Sequence, residues 1–137
     1  RRKLAKAAKV GTFVALHVKE EERNEEQGHS FILAKVTKEA FEHKRGMRRK
    51  CQKIGLDFKV GGWYIEVEEL VRDPDYPTTF GFDKKRKYTF DAEAVVANNV
   101  KVVQLSQKHN YSNKNKFREL PEAEVNRCEE AGCTSWE

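Results

Sequence analysis

The chain has 137 residues, of which 38% are hydrophobic and 36% charged, and its net charge is +5. This length predicts one domain, and an aromatic fraction of 10% is too high for a wholly disordered chain. No apolar run approaches the roughly 20 residues of a membrane-spanning helix, and the N-terminus has no secretory signal, so the sequence predicts no membrane partner. Because the first residue is Arg1 rather than Met, we expect a processed chain or an excised fragment.

Cysteine usage and charge distribution narrow the class of protein further. The three cysteines, Cys51, Cys128 and Cys133, are too few and odd in number for a secreted disulfide scaffold, which indicates an intracellular, reducing compartment. Residues 1–9 carry five Lys or Arg and no acid, whereas residues 10–137 balance at 22 against 22. We interpret residues 1–9 as a basic arm that contacts phosphate backbones, serves as a linker, or ends a helix begun upstream.

The first half of the chain contains three predicted strands. Residues 11–18 and 30–37 are apolar and rich in β-formers, and the acidic loop between them completes a hairpin. Residues 38–56 predict a long basic loop with a short helical turn. Residues 57–71 return to a strand pattern, and Gly61-Gly62 predicts a bulge or tight bend before Trp63.

The second half alternates loops with shorter elements. Residues 73–87 predict a loop, because Pro74, Pro77 and Gly81 interrupt them, and residues 87–91 predict a short strand. The next segment is one helical turn or the approach to a last strand at 99–106. Residues 107–118 predict a polar tail or loop, and Pro121–Ala131 predicts a short helix that Gly132 ends.

These elements predict a mainly β fold, a small and strongly bent antiparallel sheet or barrel of five to six strands. The predicted division is a basic arm at 1–9, a β domain at 10–106, and a polar linker with a short terminal helix at 107–137.

Several short segments carry a family resemblance. They are Gly11–Val18, the run Phe31-Ile32-Leu33-Ala34-Lys35-Val36, Trp63-Tyr64, Tyr88-Thr89-Phe90 and Val95-Val96. Across residues 11–105 the chain resembles the SH3-like barrels of chromatin and transposon-related proteins, of the Tudor and bromo-adjacent-homology kind. The resemblance implies a nuclear module that binds rather than catalyses, with methylated lysine or arginine of a histone-type peptide, another peptide, or nucleic acid as the ligand.

Two basic clusters are candidate phosphate contacts, because cations grouped together attract nucleic-acid backbones. The first lies in the insert between the second and third strands, and the second precedes Tyr88. Their residues are Lys44, Arg45, Arg48, Arg49 and Lys50, and Lys84, Lys85, Arg86 and Lys87.

Six aromatic residues crowd one stretch and form a candidate pocket for a peptide or a base. They are Trp63, Tyr64, Tyr76, Phe80, Phe82 and Tyr88. Such rings can hold a methylammonium by cation–π attraction, with help from nearby acids, or stack on bases. The alternative is that most of them fill the core of a small barrel.

The sequence therefore predicts a non-enzymatic binding module of a nucleic-acid- or chromatin-associated protein. The predicted partners are DNA or RNA, or a modified histone-type peptide, and the predicted cofactors and metals are none. The alternative is a protein–protein adaptor that binds a charged partner without nucleic acid. A third hypothesis, a nuclease-like enzyme, would require acids such as Asp57, Glu66 and Glu68 to converge.

Overall fold

Seven strands form one antiparallel sheet in the computed structural model, which describes residues 2–18, 29–46, 58–104 and 116–134, without the side chains of Lys84 and Thr134. The strands are β1 Phe13–His17, β2 Phe31–Glu42, β3 Trp63–Arg72, β4 Thr79–Asp91, β5 Val95–Ala97, β6 Val103–Gln104 and β7 Phe117–Glu119. Helix α1 is Arg2–Ala7, helix α2 is Glu122–Thr134, and a 3-10 turn occupies Ala92–Ala94. The strand order is β5-β1-β2-β3-β4-β7-β6.

The mainly β, antiparallel prediction and the short C-terminal helix are confirmed. The described residues contain seven strands rather than five to six. The two edge strands, β5 and β6, do not pair with each other in this part of the chain, so the sheet is not a closed barrel.

Several boundaries differ from the sequence prediction, and three of them concern β2, β4 and β6. Strand β4 begins at Thr79, within the segment predicted as a loop. Gly81 is predicted as a loop residue but lies inside this strand, where a Cβ would be 3.0 Å from the ring of Phe117 on β7. Strand β2 extends to Glu42, into the predicted basic loop. In the predicted strand at 99–106, only Val103–Gln104 is a strand among the described residues.

The sheet is strongly curved, and a short connection shows why it must be. Residues 98–102 join the edge strands β5 and β6, which a flat seven-stranded sheet would hold about 29 Å apart. Six residue steps reach at most about 22 Å. Shifts in register between β2 and β3, at Val36/Lys38 and Lys38/Phe41, provide bulges at which such a strand bends.

Alternation along the strands buries apolar side chains on both faces of the sheet. One face, here called the α1 face, packs Val14, Ala34 and Ile65 against Ala5 and Ala8 of the N-terminal segment. The other, the α2 face, packs Leu33, Leu70 and Phe80 against Leu120 and Cys128. Each helix therefore covers one face.

Residues 2–8 pack on the body of the protein. Ala5 and Ala8 are fully buried, the side-chain amide of Asn98 donates to the carbonyl of Leu4 at 3.1 Å, and Lys6 Nζ lies 4.2 Å from the ring centroid of Trp63. The division of the chain at residue 9 stays a prediction. Arg2, Lys3 and Lys6 therefore belong to a helix that packs on the sheet.

Candidate functional site

Charged side chains occupy half of the α2 face. Helix α2 and Leu120 cover the half that contains Phe31, Leu33, Leu70 and Phe80. On the other half, Phe13 pairs with Lys35, Lys35 with Glu68, and Glu68 with Lys87, so one row crosses four strands. The adjacent row pairs Lys38 with Glu66. We call Lys35, Lys38, Glu66, Glu68 and Lys87 the charged surface.

The members of the charged surface differ in how they are paired. Lys38 Nζ lies 3.9 Å from Glu66 Oε2 and 4.5 Å from the ring centroid of Phe41. The carboxylate of Glu68 is half-buried and makes no hydrogen bond or ion pair with any residue in the described part of the chain. Lys87 is exposed beside it. An acceptor and a donor on this surface are thus available to a ligand.

The second basic cluster lies on a bulge of β4. Between Lys87 and Phe82, β4 advances five residues while β3 advances only from Glu68 to Leu70. Asp83 Oδ1 accepts from the backbone N–H of Lys85 at 3.0 Å, which fixes the extra residues. Since the additional residues bow outwards from the ladder, the bulge displays the cluster at the rim of the charged surface.

The cations of this cluster differ in exposure. Lys85 and Lys87 are exposed. Arg86 is instead turned back towards acids, 3.4 Å from Glu69 Oε1 and 3.6 Å from Asp83 Oδ2. Lys84 lies in β4, and its side chain is outside the described atoms. Two of the four predicted phosphate contacts therefore point to solvent without an ion pair to the described residues.

The first basic cluster begins where β2 ends. Backbone hydrogen bonds of 2.8 Å in both directions join His43 to the Gly61-Gly62 turn and close the neck of the insert. Lys44 and Arg45 are exposed beyond this neck, whereas Arg48, Arg49 and Lys50 lie outside the described residues. The neck is about 20 Å along β3 from the level of Glu68. Lys35 lies at that level, and Lys38 lies between it and the neck.

The structure distributes the six predicted pocket aromatics over three places. Trp63 and Tyr88 pack half-buried against the α1-face core. Tyr64 and Phe80 are almost fully buried, and Tyr64 Oη accepts from the backbone N–H of Lys59 at 2.8 Å. Phe82 is half-buried on the α2 face, and Tyr76 is 46% exposed in the β3–β4 turn. These six rings do not line one common pocket.

Three of these six rings already contact cations of the chain itself. Lys6 lies over Trp63, Arg72 lies 4.6 Å from the centroid of Phe80, and Arg118 lies 5.2 Å from that of Phe82. An internal ammonium or guanidinium gains the attraction that a bound methylammonium would otherwise gain. At Trp63 and Phe80 the ring therefore contributes to the stability of the protein.

Two aromatic residues on the α2 face were missed in the sequence. Phe13 places its ring 6.1 Å from that of Phe82, although their strands are separated by two others. Phe41 lies 6.3 Å from Tyr64. Phe13 lies in a predicted strand, and Phe41 lies in the part of β2 that extends beyond its predicted end. The ring that each one contacts depends on the pairing of the strands, which the sequence alone does not show.

No group of three or more His, Cys, Asp or Glu among the described residues is placed to hold a metal ion. Burial raises the pKa of the Cys128 thiol to about 11, which keeps it protonated at neutral pH. In the same part of the chain, no helix is long and apolar enough to cross a membrane.

Comparison with known proteins adds no family: no family model matches the chain, and neither a curated protein nor a solved structure is significantly similar to it.

Proposed function

We propose that this protein is a non-enzymatic binding module of a nucleic-acid- or chromatin-associated protein, with phosphate groups as its main contacts. The observation that carries the proposal is the placement of cations along one face. Lys35 and Lys38 stand on the α2 face between Lys87, a member of the second basic cluster, and the exposed Lys44 and Arg45 of the first. These cations, with Glu66 and Glu68 between them, form a row that can contact the backbone of DNA or RNA, whose phosphates repeat along its length.

The curvature of the sheet supports the SH3-like part of this proposal. Strands β1 to β4 follow one another as neighbours, and β5 returns to pair with β1. Such a return makes a strand meander curl towards a barrel. On this proposal β6, β7 and α2 are additions to the module, and the protein acts in the nucleus.

A second candidate function, a protein–protein adaptor, is favoured by the β3–β4 turn. Asp73 Oδ1 accepts from the backbone N–H groups of Asp75 at 2.8 Å and of Tyr76 at 3.2 Å. The guanidinium of Arg72 donates to the carbonyl of Pro77 at 2.6 Å. A turn fixed in this way presents the exposed ring of Tyr76 with little entropy left to lose, as anchor residues of protein interfaces do.

The decisive experiment measures binding of the whole chain to fluorescently labelled duplex and single-stranded DNA and RNA by anisotropy across a salt series. A double variant, Lys85→Ala with Lys87→Ala, removes the exposed cations at the β4 bulge. A matched variant, Lys3→Ala with Lys9→Ala, removes the same charge from the N-terminal segment.

If the proposal is correct, affinity falls steeply with salt, and the β4 variant lowers the slope of log K against log salt by about 0.9 per lost phosphate contact on duplex or about 0.7 on a single strand. The N-terminal variant then leaves most of the slope in place. Absence of binding to every nucleic acid at low salt would refute the proposal and favour the adaptor.

A further inference from the structure

The carboxylate of Glu68 is unpaired, although it lies among the lysines of the charged surface. It lies in register between Lys35 and Lys87 and is half-buried, yet it has no hydrogen-bond or ion-pair partner in the described part of the chain. Taking a carboxylate partly out of water without a partner costs free energy. An amino group of a ligand would satisfy it.

Two aromatic rings lie on the same face of the sheet as this carboxylate. Phe13 pairs with Lys35 in the same row, and Phe82 lies one row further along β4. Their centroids are 6.1 Å apart, and both rings are half-buried, so each retains an accessible part. Lys35 Nζ lies 5.6 Å from the centroid of Phe82. Rings beside cations are the composition of a surface on which bases stack.

The acids of the charged surface disfavour a duplex at this place. A phosphate backbone laid across the rows would meet Glu66 and Glu68 as well as the lysines, and like charges repel. Lys85 and Lys87 stand at the rim, on and beside the β4 bulge. A single strand separates its phosphates from its base edges, so it can put phosphates on the rim and bases inward.

We propose that the charged surface binds single-stranded DNA or RNA, with phosphates on Lys85 and Lys87, a base against Phe13 and Phe82, and an exocyclic amino group donating to Glu68. Carboxylates in nucleic-acid-binding proteins accept from such groups, and cytosine N4 is the typical donor. Thymine has no exocyclic amino group. The inference rests on the proposed phosphate binding and adds to it a strand type and a base preference.

The test compares oligo-dC with oligo-dT of equal length, about 12 nucleotides, which is within the range of single-strand-binding folds. The two probes carry the same phosphates, so their affinity ratio isolates the bases. We expect the intact chain to prefer oligo-dC about tenfold. Glu68→Gln should reduce this ratio severalfold, even though removal of a negative charge favours phosphates. Glu119→Gln makes the same chemical change at a position that pairs with Thr79 and Val103 on the opposite face, and it should leave the ratio unchanged.

A second variant tests stacking. Phe82→Leu keeps an apolar side chain opposite Leu70 and removes the ring, so affinity for both oligonucleotides should fall about tenfold, with the circular dichroism spectrum unchanged. Equal binding of oligo-dC and oligo-dT, or tighter binding of duplex than of either, would overturn this inference while phosphate binding stands. Absence of binding to all three would refute the proposed function itself.

Discussion

Ser30 and Glu129, which are 99 residues apart in sequence, are joined by their backbone and side-chain atoms. The backbone N–H of Ser30 donates to Glu129 Oε2 at 3.0 Å, and the Ser30 hydroxyl lies 2.8 Å from both that oxygen and the carbonyl of Glu129. The other carboxylate oxygen lies 2.6 Å from Nδ1 of His29. These contacts fasten helix α2 to the start of β2 and so keep it on the α2 face.

Glu129→Gln should destabilise the protein by about 2 kcal/mol at neutral pH, because charge-assisted hydrogen bonds are stronger than neutral ones. Urea unfolding followed by circular dichroism measures the change. Glu122→Gln is the matched control, since Glu122 is exposed in the first turn of the same helix, and it should change the free energy of unfolding by less than about 1 kcal/mol. Equal losses in the two variants would contradict the role of the Ser30 contacts.

The same carboxylate makes stability depend on acid pH. Burial raises the pKa of Glu129, but hydrogen bonds from the Ser30 N–H, His29 and the Ser30 hydroxyl outweigh it, so the pKa lies below its ordinary 4.5. The unfolded chain therefore takes up a proton at higher pH than the folded one. The contribution of Glu129 is complete above pH 4.5 and is lost as pH falls through the lower folded pKa. Unfolding free energies of the wild type and Glu129→Gln should converge over that acid range, and a constant difference would contradict the linkage.

Gly132→Ala should destabilise the protein by about 1–2 kcal/mol, although alanine is the better helix former. A Cβ at this position would lie 2.5 Å from Ser30 Oγ and 2.6 Å from the carbonyl oxygen of Ser30, so the helix would have to move. Thermal unfolding measures the effect. Asn126→Ala, at an exposed position of the same helix, should be neutral or slightly stabilising. A stabilised Gly132→Ala variant would show that α2 is free to shift.

Two glycines explain much of what the sequence could not predict about the fold. Strands β1 and β2 were predictable from their apolar β-forming residues, and helix α2 from Pro121 and the acids in its first turn. These signals lie within a few residues of the element that they predict. Gly81 and Gly132 suggested a loop and a helix stop, yet both lie inside regular elements. The absence of a side chain lets Phe117 approach Gly81 and lets Ser30 approach Gly132, although both partners are distant in sequence. Such a requirement is not visible in a local window.

The candidate site was predictable in composition but not in arrangement. The cluster at Lys84–Lys87 was evident, but the bulge that displays Lys85 depends on how β4 pairs with β3. Likewise, the row Lys35, Glu68 and Lys87 exists only through the strand register. A slip of one residue would place each of these side chains on the other face.

Arg72→Lys should cost more stability than Arg72→Met. The guanidinium contacts the rings of Phe31 and Phe80, with its Cζ 5.1 and 4.6 Å from their centroids, and its Nη2 is buried without a hydrogen-bond partner in the described part of the chain. Burial lowers the pKa of Arg72 to about 10, although the charge of Glu129 raises it. Keeping the charge buried therefore costs free energy, and the cation–π contacts of the planar guanidinium with the two rings offset part of that cost.

Lysine keeps the charge and loses the contacts of the planar guanidinium, so we expect a loss of about 2 kcal/mol, whereas methionine fills the space without a charge and should cost less than about 1 kcal/mol. Urea unfolding at neutral pH compares the two, with Arg127→Lys as an exposed control on α2. If methionine proved the worse replacement, the hydrogen bond to Pro77 would outweigh the cost of the buried charge.

Deletion of residues 1–9 should destabilise the body by about 2–4 kcal/mol, because Ala5, Ala8 and Leu4 would leave the α1-face core. A deletion would therefore confuse a loss of phosphate contacts with a loss of folding. Replacement of Arg2, Lys3 and Lys9 by Gln separates the two effects. Their ion pairs, Arg2 with Glu93 and Lys9 with Glu39, are exposed, so this variant should retain stability within about 1 kcal/mol.

The triple Gln variant also tests how much of the binding depends on the cations of the N-terminal segment. Each phosphate contact that it removes should lower the salt slope for duplex by about 0.9, and an unchanged slope would show that Arg2, Lys3 and Lys9 make no phosphate contact. Urea unfolding of the deletion is the companion measurement. If the deleted chain unfolded at the same urea concentration as the intact one, α1 would not contribute to the core, and a simple truncation would suffice to locate the phosphate contacts.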